Sequence, residues 1–385
     1  MAEHAAGRLP GPVATPLGER DWVVIFSGTP WASGAHRQHA LARELAVDHH
    51  VLFVDPAGHL PRWRVRARQV ADGLWHTPGP ALLPLGRHLP PVNRANRWLA
   101  ATLLRGWLRR RAATVRLLWL DEDLAAPIAS RLGEAAVVYD ATDLDWTFTR
   151  RWNRWHLRRA LRRAVDAADL VLASSSALPA RMPTADPAPT VLPNGCDPDN
   201  FTPDGPIAPW TRPLRRPLIG YCGAVDTRAF DADLVAAVAR AHPEWSFLLV
   251  GPSTRAGRAP LANLSNVQLV GAVRYADVPS ILRACDVTII PYRVGGLVDY
   301  VHPKKCYEYL ALGKPVVATP LPALCPLAGT VRLAGDPQSF AAALRDALSA
   351  GGQPDEAARR RSVAVRNSWS VRGVELRALL AGLPR

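Results

Sequence analysis

The chain has 385 residues, with 47 basic against 33 acidic side chains and a formal net charge of +14. That length exceeds one ordinary core and suits two domains of about 150–200 residues each. Five scattered cysteines without metal-type spacing argue against a disulfide framework and for a reducing compartment. The first twenty residues lack the apolar segment of a secretory signal, and no apolar run is long enough to span a bilayer. Residues 1–20 are therefore expected to be poorly ordered and the protein cytoplasmic.

In chain order, "DWVVIFS" (21–27) reads as a buried strand, followed by a Gly/Pro/Ser loop at 28–34 and the helical spacing of "AHRQHALARELA". Further strands are expected at "HHVLFVDP", "VRLLWLD" (115–121), "AAVVYD" (135–140), "DLVLASS" (169–175) and "TVLPNG" (190–195). An arginine-rich helix is expected over about 150–168. A proline-dense, aperiodic stretch at 203–217 reads as a linker. The pattern then restarts with "LIGYCGAV", "FDADLVAAVARA", "WSFLLVGP", "NVQLVG", a helix at 276–284, "DVTIIPY" and "KPVVAT".

Short apolar strands alternating with helices indicate parallel sheets buried on both faces. The expected fold class is α/β, with an N-terminal Rossmann-like domain over 21–202, a linker, a second over 218–365, and a last helix (366–385) packing across the junction. Ligands of such sheets bind outside the carboxyl ends of the strands.

The basic residues are unevenly spread. Arginine supplies 44 of them and lysine three, Lys304, Lys305 and Lys314. Part of this bias reads as GC-rich coding. Between Leu60 and Leu120, however, twelve arginines accompany one acidic residue, Asp72, a field suited to phosphates or anionic lipids. "PRWRVRARQV", "NRWLAATLLRGWLRRR" and "RRWNRWHLRRALRRA" mix Arg with Trp and Leu, as basic amphipathic helices on an anionic membrane do; solvated helical faces would give the same pattern.

All three lysines fall in "HPKKCYEYLALGKPVVAT". Pro303 suits a first helical turn. Two cations there oppose the helix dipole unless an anion lies in front of them. Glu308, three residues beyond Lys305, shares its face and could accept two hydrogen bonds from a ribose diol. An exposed Lys305–Glu308 pair explains the same spacing. Lys314, after Gly313, suits a helix C-terminus.

This stretch resembles the donor-site signature of GT-B glycosyltransferases of family 4 (group 1). "VLPNGCDPDNFTP", "IGYCGAV", "FLLVGP" and "NVQLVGAVRYADVPSILRACDVTIIPY" support the likeness in order, and "FSGTPWASGAHRQHALARELAVDHHVLFVDP" and "VVYDATDLDW" resemble the teichuronic-acid-type subgroup. The resemblance implies a retaining, metal-independent transfer from a nucleotide-sugar to a hydroxyl acceptor. It implies no cofactor, and service in cell-surface polysaccharide, glycolipid or natural-product synthesis.

On the donor side the resemblance implies Glu308 on the ribose, Lys305 with Gly223 and Pro303 at the diphosphate, and Val273 and Arg274 along the base. Three departures stand out: Tyr300 occupies the place of a second glutamate, Pro303 that of a glycine, and Ala224 that of an arginine. Arg228, one place from the usual lysine, is the candidate for a further phosphate contact.

On the acceptor side the cleft-loop candidates are Gly28, Trp31, His36 and Arg37, and the carboxylates Asp140 and Asp143 could orient a hydroxyl or take its proton. Turn and cap duty explains such aspartates equally well. A lipid-linked acceptor and attachment at the inner face of the plasma membrane are the corresponding expectations. No nucleic-acid-binding module is recognisable, which argues against explaining +14 that way. A degenerate, non-catalytic partner remains the alternative, motivated by Tyr300.

Overall fold

The computed structural model describes residues 21–383 except 35, 59, 133–134, 143–150 and 351–352. The first half runs β1 (Trp22–Phe26), α1 (Arg37–Leu45), β2 (His50–Ala57), β3 (Arg68–Ala71), β4 (Leu74–Gly79), α2 (Pro90–Arg109), β5 (Val115–Leu120), β6 (Ala136–Ala141), α3 (Arg151–Asp166), β7 (Leu170–Ala173) and β8 (Thr190–Val191). These strands form one sheet in the order β3-β4-β2-β1-β5-β6-β7-β8. Every neighbouring pair is parallel except β3 with β4.

The second half runs β9 (Leu218–Cys222), α4 (Ala232–Ala241), β10 (Ser246–Val250), α5 (Arg255–Arg258), β11 (Val267–Gly271), α6 (Val278–Arg283), β12 (Val287–Ile290), α7 (Lys305–Ala311), β13 (Val316–Ala318), β14 (Arg332–Leu333), α8 (Pro337–Ala350), α9 (Pro354–Arg366) and α10 (Trp369–Ala381). Its parallel sheet has the order β11-β10-β9-β12-β13-β14. Strand order therefore reverses at β1 in one sheet and β9 in the other. The crevices beyond the carboxyl ends of these two strands are where such sheets take ligands.

Both sheets are buried on both faces, as their continuous apolar strands require. In the first, Val24, Leu52 and Leu118 pack under Leu104 and Trp107 of α2. The other face, with Val23, Val51, Phe53 and Trp119, is covered by Leu41 of α1 and by Leu376 of α10. The last helix thus returns from the second domain to complete the core of the first, and Arg377 reaches Glu44 and Asp48 beside it.

Two expectations are corrected. The segment "PRWRVRARQV" is not helical: its end forms β3, paired antiparallel with β4, and Asp72–Gly73 makes the two-residue turn with Gly73 at φ 63°. Asp-Gly between short strands is a strong hairpin signal. The chain also crosses between domains earlier than 203–217. Leu192 belongs to the first core, whereas Cys196, Phe201 and Ala208 are buried in the second. Segment 203–217 lies on the second domain, held by the Ala208 amide on the Ser280 carbonyl (3.0 Å).

Removing a fully buried phenyl ring costs about 3–5 kcal/mol. Phe201→Ala should therefore lower stability by that amount in urea melts. Limited proteolysis should then cut first within the second domain, not the first.

Candidate functional site

The mouth of the second sheet is organised by Tyr309 on α7. Its hydroxyl accepts the Cys222 amide at 2.8 Å, pinning the helix to the end of β9. Lys305 lies one turn earlier on the same side. Its Nζ reaches the Tyr221 hydroxyl at 3.2 Å and sits 4.3 Å and 5.0 Å from the rings of Tyr221 and Tyr292. Burial works against its charge, but the hydroxyls of Tyr221 and Tyr292 outweigh that effect and raise its pKa, so Lys305 is an ammonium at neutral pH.

Gly223 follows β9 at φ 153°. That φ disfavours any side chain, and a Cβ there would meet the buried Tyr221 hydroxyl at 2.7 Å as well as the Lys305 Nζ at 2.2 Å, so glycine is required. Gly251, at φ 140° after β10, approaches the same turn, and a Cβ on it would meet the Gly223 carbonyl oxygen at 2.2 Å. The next residues are equally fixed. The Val225 amide donates to the Pro252 carbonyl at 2.8 Å, and Arg228 and Ala229 donate their amides to Asp226. The Arg228 side chain is exposed at the tip of this turn.

Glu308, one turn on from Lys304, is 5% exposed. Its Oε1 takes the Lys304 ammonium at 2.9 Å and the Tyr275 hydroxyl at 2.6 Å. Burial and the Glu308 carboxylate both raise the Tyr275 pKa, so that hydroxyl stays protonated and donates. The structure thus divides the two lysines: Lys304 pairs with the carboxylate, and Lys305 turns away toward Gly223. Lys314 caps a different helix from the one it follows, its Nζ meeting the Arg283 and Cys285 carbonyls at the end of α6 at 2.8 and 2.7 Å.

Of the remaining predicted residues on this side, Val273 is part-buried against the core. Arg274 is exposed and occupied by Asp277, Nε to Oδ2 at 2.9 Å. Pro303 is buried ahead of α7.

The facing wall belongs to the first domain. Gly28, just past β1, donates its amide to Asp121 Oδ2 at 3.1 Å. Trp31 is built into that wall: its amide donates to Asp55 Oδ1 at 2.8 Å and its ring packs on Phe53 and His39. His36 begins α1, and its pKa is lowered first by desolvation and then by the Lys304 ammonium across the gap. His36, Lys304, Tyr275, Asp197 and Trp369 line one interdomain cavity of about 270 Å3.

Arg37 and Asp140 meet as a buried ion pair at 3.0 Å, with side chains 4% and 0% exposed. Asp140 therefore does not face the cleft. Arg37 also donates to the Pro193 carbonyl at 3.2 Å and to Asn194 Oδ1 at 3.3 Å, and Asn194 passes its amide N–H to the His302 carbonyl at 2.8 Å. Both residues act at a distance from the cavity, through the segment that leads into Lys304 and Lys305. Asp143 lies outside the described residues. Among the described residues, no three His, Cys, Asp or Glu side chains are grouped to hold a metal ion.

Sequence reasoning missed Tyr221, Tyr292 and Asn194. It held Tyr275 only as the last residue of the candidate loop 272–275, without a role of its own. The two tyrosines beside Lys305 come from separate strands, and nothing local announces their meeting.

Residues 216–350 match the family model "glycosyl transferases group 1". TuaH of Bacillus subtilis strain 168, assigned to teichuronic acid biosynthesis as a glycosyltransferase, is 31% identical over 160 residues. That alignment spans 40% of this chain and 40% of the relative's length. Sucrose-phosphate synthase from Thermosynechococcus elongatus has a similar fold, with a TM-score of 0.70 at 16% identity over 94% of this chain and 98% of that one. Anabaena HepE in complex with UDP and glucose gives 0.64 at 15% identity, over 95% and 100%. At these identities the solved structures speak for the architecture, which is the two-domain GT-B fold.

Burial lowers the pKa of His302 and of His39 from 6.5 to about 4; Arg37 and Arg372 add to the effect at His302. The unfolded chain takes up protons on both rings across this window while the folded chain does not. Their contribution is full above 6.5 and is lost as pH falls toward about 4. Urea melts should show stability declining through that window. His302→Gln should flatten the slope, and an unchanged slope would contradict the assignment.

Proposed function

We propose that this chain, whose C-terminal domain belongs to the group 1 glycosyl transferases, moves a glycosyl unit from a nucleotide-sugar to a hydroxyl acceptor. The observation that carries the reading is Lys305 beside the Gly223 turn and Glu308 one turn further along α7, where Glu308's partners Lys304 and Tyr275 line the cavity facing the first domain. Lys305 takes the diphosphate, with the Gly223 turn approaching it by backbone and Arg228 as a second cation. Glu308 exchanges its Lys304 and Tyr275 partners for the ribose hydroxyls, and Val273 lies along the base.

In the transfer, the acceptor oxygen bonds to the anomeric carbon and the bond from that carbon to the phosphate oxygen breaks. The nucleoside diphosphate leaves with the electron pair, and the acceptor proton passes to a phosphate oxygen. Preorganised positive charge at the departing diphosphate is the main catalytic contribution of such a site. Lys305 provides it, so transfer should survive EDTA. Attack from the face the diphosphate leaves gives retention. His36, whose pKa is lowered by desolvation and by Lys304, lines the cavity on the opposite wall and is the candidate to meet the acceptor hydroxyl.

The likeness to TuaH supports an acceptor in cell-surface polysaccharide or glycolipid assembly; decoration of a natural product is the other acceptor class. Tyr300 favours a second reading, a non-catalytic partner. Its carbonyl accepts the Ser175 hydroxyl at 2.6 Å and its ring lies 5.2 Å from the Arg181 guanidinium, both in the first domain. A side chain tied in that way is unavailable to a donor sugar.

Titration calorimetry against UDP, GDP and dTDP should find one tight nucleotide. Loss of a charged hydrogen bond weakens binding about 10–100-fold, so Lys305→Ala and Glu308→Ala should each do so. Equal affinity in both variants and the parent would refute the site. Binding without donor hydrolysis or transfer to any polysaccharide or glycolipid acceptor would favour the partner reading.

A further inference from the structure

We propose that the first domain carries a docking face for an anionic lipid bilayer, built from segment 60–66, the turn at 82–89 and α3. Hydrogen bonds tie these pieces together. Arg62 and Ala81 exchange backbone hydrogen bonds at 2.7 and 3.3 Å. Asn96 on α2 accepts the Leu82 and Leu83 amides at 2.8 and 3.0 Å and donates to the Leu83 carbonyl at 2.8 Å. Asn153 on α3 donates to the Arg87 carbonyl at 3.2 Å.

On this surface Trp63 is 60% exposed, Leu85 56% and Trp155 67%. Single exposed apolar side chains need no explanation, but three large ones on linked segments do. Leu85 sharpens the point. It sits at φ 68°, a backbone region side chains rarely adopt, while its carbonyl takes the His88 and Leu89 amides at 2.9 and 3.0 Å. The turn is thus built to hold a leucine out in solvent.

The charge matches one partner. Segment 60–66 carries Arg62, Arg64 and Arg66, the turn at 82–89 carries Arg87, neither has an acid, and α3, "RWNRWHLRRALRRAVD", holds six arginines with its only acid at the end. Arg159 lies 5.8 Å from the Trp155 ring, an indole-guanidinium pair suited to a headgroup layer. Indoles and leucines on a basic face enter the boundary between headgroups and acyl chains. Nucleic acid would use stacking aromatics along a groove, and a projecting leucine has nothing to stack on. A second copy would bring the same positive field and be repelled. No described helix is long and apolar enough to cross a membrane, so contact would be with the surface only.

The test is flotation of the full chain with phosphatidylcholine vesicles, with and without phosphatidylglycerol. The protein should rise with the anionic vesicles, more at low than at high salt, with indole emission shifting to the blue. A Trp63→Ser, Leu85→Ser, Trp155→Ser triple variant should bind about tenfold more weakly, as should Arg64→Glu with Arg66→Glu. Both variants should keep the parent's nucleotide titration, which separates this surface from the donor cleft. Absence of flotation at low salt, or variants that float like the parent, would overturn the proposal. So would binding to duplex DNA that the same substitutions abolish while vesicles are ignored.

Discussion

Arg37 and Asp140 give up water to meet at 3.0 Å, and the geometry of the cleft follows from the groups this pair then holds. A buried ion pair recovers little net stability once both desolvation costs are counted. One nitrogen of Arg37, NH2, even lacks a hydrogen-bond partner. What the pair secures is position. Asp140 ends β6, Arg37 opens α1, and the guanidinium holds Pro193 and Asn194 where the chain leaves the first sheet. Asn194 in turn holds the His302 carbonyl, two residues before the lysines. The floor of one domain is thereby placed by the interior of the other.

Two further links constrain the same gap. Cys196 exchanges backbone hydrogen bonds with Asn367 and Trp369 at 3.1 and 2.8 Å, and α10 then runs back to bury Leu376 in the first core. Tyr300 spans to Ser175 and Arg181. The chain crosses between the domains twice and Tyr300 adds a non-covalent link, so any opening of the cleft must bend around them. Tyr300, where the motif the chain resembles has a second glutamate, is one of these fastenings.

The fold was largely legible because both sheets are buried on both faces, and continuous apolar runs between loop signals are how such strands appear in a sequence. β1, β2, β5, β6, β7, β9, β10, β12 and β13 follow that rule. The hairpin at Arg68–Gly79 escaped because its edge strand β3 is mostly exposed and needs no apolar run, and the arginines leading into it resemble a helical face. Its Asp72–Gly73 turn was the overlooked signal. At the site, Glu308 and Lys305 stood out because they are close in sequence. Tyr221, Tyr292 and Tyr275 did not, because the topology brings them together from three strand ends. Asp140 looked like a cleft carboxylate for the same reason: sequence places it at a strand end, and only packing shows that Arg37 covers it.

The rarity of lysine follows from geometry at each place it occurs. Arginine presents a wide planar fork, whereas lysine ends in a compact charge with three rotatable donors. Lys314 needs to point one atom at two carbonyls less than 3 Å away. Lys304 meets a carboxylate oxygen that also receives a tyrosine hydroxyl and lies 4.7 Å from the ring of that same tyrosine. Lys305 is enclosed by two tyrosine rings and a glycine that cannot carry even a Cβ. In a chain that otherwise uses arginine at 44 positions, these are the three places where lysine stands. At each of them one compact ammonium is aimed at neighbours that lie around a single atom, which is the geometry a point charge serves better than a planar fork.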